Sequence, residues 1–264
     1  MLKHLISLNL LVVLALSVLT AFPASVEAKD SGHSDTQSVY VANDNPMGQV
    51  DQVLKKAKDE NKLALIVLGA QWCHDSRGFA EKFETPKLRE IIDKRFQTVF
   101  IDVGYYNDLR SITQRFGQAH YYATPTVLVV DPQSESLING ETLQIWAMAD
   151  SVPLSKYTEY FSEFDPGNVS IPATLGAAYK AQISMFEQFQ SQRLMDAYQQ
   201  LVPGMLAEDQ SGQVTDEFIN QWKEVRGFRS QLQKDLQKLY QQARQRAPLP
   251  LALPTYDEFS WNNR

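Results

Sequence analysis

Cysteine is almost absent: one residue, Cys73, in a chain of 264. No disulfide can form within the molecule, so this thiol is free, joined to another molecule, or buried and inert. Histidine is scarce as well. The three beyond residue 28 (His33, His74 and His120) lack metal-ligand spacing, and with no second thiol no metal and no other cofactor is expected. There is no glycine-rich phosphate loop and no serine-centred elbow. Basic charge is in deficit, with 25 Lys and Arg against 31 Asp and Glu for a net of −6 and no basic cluster, which argues against a nucleic-acid partner. What is present is ordinary for a globular protein: 44% hydrophobic and 21% charged, over a length that suits one large domain or two small ones.

The long apolar run at the N-terminus reads as a secretory signal. Lys3 gives the positive start, Leu10 to Leu19 the apolar core, and Val26-Glu27-Ala28 a small-x-small site with the cut expected after Ala28. An uncleaved anchor over Leu5 to Phe22 is the alternative; Ser7, Asn9, Ser17 and Thr20 dilute that run and Pro23 ends it. No cysteine near the cut would take a lipid, and no second run of that length follows, so no stable membrane span is expected after cleavage. This places the protein in the periplasm or outside the cell, with a Gram-negative periplasm favoured. Exported proteins tend to carry cysteines in even numbers, which makes a single one notable.

Residues 29–46 are polar, rich in Ser and Asp, and read as a linker. A first domain is expected over 47–164. Val50, Val53, Leu54 and Ala57 have helical spacing, and Leu63 to Ala70 is apolar on both faces, as a central strand would be. A helix follows, interrupted near Pro86, with Thr85 as cap. Thr98 to Val103 and Pro125 to Val130 are further strands, separated by a short helix that Gly117 stops. Turn residues over 131–140 precede Glu141 to Met148 as a hairpin partner, and a helix over 155–164 closes the unit. After the break at Asp165 to Asn168, residues 165–264 form a separate helical region rich in Gln with a Pro-rich irregular tail. Phe218, Trp222, Val225, Leu232, Leu236 and Leu239 mark one helical stripe; Met185, Phe189, Met195 and Tyr198 mark a less regular one. An antiparallel helix pair is expected, packed on the first domain or on a protein partner. Asn168-Val169-Ser170 fits a glycosylation pattern, which has no meaning in a bacterium.

Trp72-Cys73-His74-Asp75-Ser76 after an apolar strand, followed about fifty residues later by Thr124-Pro125 leading into a strand, resembles the thioredoxin-like family, in a monothiol C-x-x-S form. The resemblance spans residues 47–164 and implies an α/β thioredoxin-like fold, a central mixed sheet flanked by helices, here followed by an α-helical C-terminal extension. It implies that Cys73 and Ser76 occupy the active-site turn, and that Pro125 is cis beside Cys73, where the backbone of Thr124 would pair with an extended substrate. Two departures stand out. Ser76 replaces the second cysteine, and Leu65 to Leu68 provide no acidic residue on the strand before the turn.

Only the thiolate attacks a disulfide. A Cys73 that opens a helix would have its anion favoured by the first-turn N–H groups; His74 and Arg77 would add positive charge and Asp75 would oppose it. Ser76 could donate a hydrogen bond to the thiolate but cannot act as a resolving nucleophile. Trp72 is either a platform over the thiol or plain core. His120, near Tyr121 and Tyr122, either lines the groove or lies on the surface. Two functions follow. One is thiol–disulfide exchange through mixed disulfides, with protein or small-molecule thiols and disulfides as partners and an external thiol for release. The other is a non-catalytic or chaperone-like binding protein that uses the groove and the helical extension. A third reading is a homodimer linked through Cys73.

Overall fold

The structure, a computed structural model, describes residues 38–165 and 175–263. The expected signal segment, most of the linker, the break after Asp165 and the Asn168 pattern lie outside the described residues. The apolar run that follows the first helix becomes β1 (Leu63–Gly69), one of the two inner strands of a four-stranded sheet in the order β2-β1-β3-β4. β2 (Phe96–Asp102) runs parallel to β1, with Leu65 opposite Thr98. β3 (Thr126–Asp131) is antiparallel on the other side, with Ile66 opposite Leu128, and β4 (Ser136–Leu137) closes the edge. The sheet is therefore mixed. Flanked on both sides, β1 has its backbone groups paired and its two faces covered, which is why it carries no alternation of polar and apolar residues.

One face, with Leu65, Val67, Val127 and Val129, packs on α2 (His74–Phe83), α3 (Pro86–Arg95) and α5 (Leu154–Glu163) through Phe79, Phe83, Leu88, Ile92 and Phe161. Pro86 opens α3, as the sequence indicated; Thr85 holds the N-cap position without a side-chain cap bond, its hydroxyl donating instead to the Lys82 carbonyl at 2.7 Å. The opposite face, with Ala64, Ile66, Leu68, Leu128 and Val130, packs on α1 (Pro46–Asp59) and α4 (Arg110–Arg115). Two expectations are corrected here. The hairpin partner of β3 is β4, not Glu141 to Met148; Gly140–Ser151 is a 3-10 helix that drops Trp146 into the core beside Phe79 and Phe161. A strand over 141–148 would have left that indole nothing to fill. The linker also ends earlier than residue 46. Tyr40 is buried under the sheet, its ring edge-on to Phe100 at 5.4 Å and its hydroxyl donating to the Ser76 carbonyl at 3.2 Å.

The C-terminal region is a helical hairpin. α6 (Ala177–Ser211) stops at Gly212, whose φ of 67° is the left-handed cap conformation that glycine adopts without strain. α7 (Asp216–Arg244) restarts at Thr215, whose side chain accepts from the Phe218 N–H at 3.1 Å. The stripe read from Phe218 to Leu239 is the packed face of α7. The less regular one on α6 is only half right: Met195 and Tyr198 are buried, but Met185 and Phe189 stand 68% and 70% exposed. Of the two packing options, the hairpin takes the sheet domain. It shares the α1/α4-side core, and the tail returns to cover it with Leu251 and Phe259. Among the described residues no helix is long and apolar enough to cross a membrane.

The seam between hairpin and sheet domain is aromatic. Tyr106 lies flat on Tyr198 at 3.9 Å, and Tyr198 in turn stacks on Tyr121 at 5.7 Å. The Tyr122 hydroxyl donates to Glu187 at 3.0 Å, and Tyr240 from α7 donates to the same carboxylate at 3.1 Å. His120 is buried in this seam at 1% exposure, with Nδ1 against the Tyr121 carbonyl and Nε2 without a hydrogen-bond partner. The surface position considered for it is thereby excluded. Burial pushes its pKa down from 6.5 to about 4, against the raising effect of the Tyr121 carbonyl.

Two outcomes are expected. His120 stays neutral in the folded chain while the unfolded chain protonates below 6.5, so stability is full above that pH and falls as pH drops toward 4, by up to about 3 kcal/mol. Unfolding titrations of wild type and His120→Phe should diverge over that window, the variant having the shallower acid limb; parallel limbs would contradict it. At Gly204, an added Cβ would meet the Phe218 ring at 2.1 Å. Gly204→Ala should therefore lower the melting temperature by several degrees despite its gain in helix propensity, as an overpacked contact costs about 1–3 kcal/mol.

Candidate functional site

β1 runs out at Gly69, where a side chain could not fit: a Cβ would lie 2.5 Å from Tyr40 and 2.8 Å from Ser76 Oγ. The chain then turns through Gln71 and Trp72 and places Cys73 as the N-cap residue of α2, with extended φ/ψ of −86° and 119°. The Cys73 N–H donates back to Ala70 at 3.2 Å, and its carbonyl accepts the first helical bond from Arg77 at 3.0 Å. Fifty-one positions on, the Thr124–Pro125 peptide is cis. Cys73 Sγ donates to the Thr124 carbonyl at 3.1 Å and accepts from Thr124 Oγ1 at 3.3 Å. A thiolate would keep the hydroxyl donor and lose the carbonyl as a partner. The sulfur is thus held by one residue, from both its backbone and its side chain.

The other expected residues divide sharply. Ser76 is fully buried, and its hydroxyl has no hydrogen-bond partner; it packs against Gly69 and Tyr40 beneath the turn instead of donating to the sulfur. A buried hydroxyl without a good partner is costly. Arg77 folds back to donate to the Gln71 carbonyl at 2.6 Å and holds the turn. Asp75 accepts from the Asp150 N–H at 3.0 Å, tying the start of α2 to the end of the 3-10 helix. His74 is exposed, 3.3 Å from the Asp75 carboxylate. Trp72 packs by one side into the core, its Nε1 donating to the Gly104 carbonyl at 2.8 Å and its ring meeting Tyr106 at 5.0 Å, and it also lines the cleft that holds Cys73.

That cleft has a volume of about 670 Å³, and more than half of its lining residues come from outside the sheet domain. Met205 of α6 and Phe218, Trp222 and Arg229 of α7 face Trp72, Cys73 and Thr124 across it. Trp222 meets Trp72 edge-on at 5.9 Å. Arg229 sends Nη1 to the buried Tyr106 hydroxyl at 3.0 Å. Residue patterns around the cysteine could not point to any of these. The available signal was on α7, where Trp222, Arg226 and Arg229 fall four and three residues apart beside the apolar stripe, so that one edge of a packing face is aromatic and basic. Thr124 and Cys73 are only 3% and 8% exposed under this roof. The loop before Thr124 is covered too, since Tyr198 of α6 donates to the Tyr121 carbonyl at 3.3 Å and Ser191 to the Ala119 carbonyl at 3.0 Å.

Residues 45–132 match the sequence profile of a family described as thioredoxin-like. No curated protein matches the chain significantly. Among solved structures the chain is similar to a disulphide isomerase from Xylella fastidiosa Temecula1, at 26% identity, with 47% of this chain and 94% of that chain covered and a TM-score of 0.44. The part of the chain that builds the sheet and presents Cys73 at the head of α2 is a thioredoxin-like domain, and the long helices α6 and α7 lie beyond the residues that the family profile matches.

Proposed function

We propose that this protein carries out thiol–disulfide exchange in an exported compartment, the periplasm or the cell exterior, through the single thiol of Cys73. The reading is supported above all by the position of Sγ, at the first turn of a ten-residue helix, against Thr124 and on the floor of a cleft. The unsatisfied N–H groups of such a turn favour negative charge, and the Thr124 hydroxyl offers a donor that a thiolate retains.

In the first step the Cys73 thiolate attacks one sulfur of a disulfide R–S–S–R′. The Cys73–S–S–R bond forms, the S–S bond of the substrate breaks, and R′–S⁻ leaves. Ser76 offers no second sulfur, so regeneration needs an external thiolate, R″–S⁻. It attacks the R sulfur, giving R–S–S–R″ and restoring the Cys73 thiolate, with no net change in the number of disulfides. Electrons only pass through, which suits isomerisation and the removal of small thiols from mixed disulfides. The competing reading is a binding protein that has kept the fold and given up turnover; the low exposure of the sulfur favours it.

The rate of Cys73 alkylation against pH separates the two. A reactive thiol should titrate below about 8.5, and the thiolate form should trap partner thiols as mixed disulfides detectable by mass. A rate that follows a thiol of about 8.5 or above, with nothing trapped, would leave the binding reading standing. Ser76→Cys supplies the missing sulfur where the serine hydroxyl is now unpartnered. On mild oxidation this variant should close a disulfide with Cys73, seen as a loss of two hydrogens by mass, and gain reductase activity toward insulin in the presence of dithiothreitol. A variant that folds and shows neither would argue against the exchange reading.

A further inference from the structure

Arg229 is the one feature of the cleft that neither the fold nor the exchange chemistry accounts for. It projects from α7 toward the interior, and its partners there are the hydroxyls of Tyr106 and Tyr198, both within 1% exposure of full burial. Burial raises the pKa of each phenol above the usual 10, so both stay neutral and neither offsets the guanidinium charge. Among the described residues no carboxylate forms an ion pair with Arg229. Arg229 is part-buried and lines the cleft, and guanidinium presents five donors in a planar fork, of which two phenols fill only part, so the remainder is open to a ligand. The acids of the same cleft are held elsewhere: Asp75 by the Asp150 N–H, Asp209 by the Tyr105 hydroxyl at 2.9 Å, while Glu208 lies exposed on the rim.

We propose that the Cys73 cleft takes a small disulfide or thiol that carries a carboxylate, and that Arg229 binds that carboxylate while the ligand sulfur meets Cys73. The proposal rests on the exchange reading and supplies its substrate class. The volume of about 670 Å³ suits a small molecule, and Trp72, Trp222 and Phe218 give it an apolar wall between the two polar ends. An extended protein segment is disfavoured, because α6 covers the loop from Ala119 to Tyr122 that leads into Thr124 and leaves Thr124 itself buried. The carboxylate takes no part in bond making: the S–S bond that breaks and the Cys73–S bond that forms are those of the exchange above, with R as the carboxylate-bearing group.

The probes are iodoacetate and its neutral isostere iodoacetamide, each losing iodide to the Cys73 thiolate. On wild-type protein the iodoacetate-to-iodoacetamide rate ratio should exceed that of free N-acetylcysteine by at least about fivefold, and Arg229→Gln should remove this excess with the iodoacetamide rate changed by less than about twofold. Arg229→Lys should keep part of the excess, and Lys234→Gln, on an exposed face of α7 outside the cleft, all of it. A wild-type ratio equal to that of N-acetylcysteine overturns the anchor even if Arg229→Gln fails to fold, and so does a ratio that Arg229→Gln leaves unchanged. Should Cys73 react with neither reagent, the exchange reading falls alone. Tryptophan fluorescence of Cys73→Ser titrated with glutathione disulfide then decides: binding weakened at least about fivefold by Arg229→Gln sustains a carboxylate site, and absence of binding ends it.

Discussion

Tyr106 lying flat on Tyr198 at 3.9 Å is the contact on which the architecture around Cys73 turns. One ring belongs to the loop after β2 and the other to α6, and stacked faces at full burial fix both distance and tilt between the elements that bear them. Trp72 leans on the same Tyr106, and Trp222 leans on Trp72, so the aromatic contact passes from the helical hairpin to the residue next to the cysteine. Without that seam α6 and α7 would be a neighbouring unit. With it they become the roof of a site whose floor is a thioredoxin-like turn.

The sequence made the sheet domain legible because its signals are local. An apolar run of strand length, a Thr-Pro restart at residues 85 and 86, and a glycine stop after α4 each act over a few residues, and each element stands where they pointed. Cys73 and Thr124 were legible as a pair for a different reason, the order of strands and turns around them. What escaped depends on contacts across the fold. Tyr40, in a stretch of polar residues, is buried by Phe100 and Ser76, far along the chain. The Glu141 to Met148 segment has the apolar content of a strand, and only the space beside Phe79 and Phe161 decides that Trp146 should turn inward from a 3-10 helix. Met185 and Phe189 have core spacing on a helix yet face outward, since periodicity marks a face without saying what covers it. Arg229 was invisible as a site residue because a lone arginine on a helix is usually solvated; two phenols from other elements hold it part-buried on the cleft wall.

Enclosure changes what a single thiol is suited for. An open turn meets any disulfide that diffuses up to it, and its selectivity lies in the partner. Here the sulfur sits under apolar rings with little solvent around it, where charge interactions are stronger than in water and a polar group brought in must find a partner. Under the proposed exchange, selection would then happen before the sulfur atoms meet. A single cysteine suits that proposal: a captured group would wait in a confined space until a thiol that also fits arrived to release it.

Tyr40 gives the N-terminal boundary of this domain a chemical meaning. Its ring closes the underside of the active-site turn, touching the strand end at Gly69 and bonding to the carbonyl of Ser76, while Ser38 beside it donates to the Gln71 side chain at 2.8 Å. The stretch before α1 is thus a strap drawn across the back of the site, and a change at Tyr40, well outside the cysteine's own turn, would be felt at the main chain of Ser76.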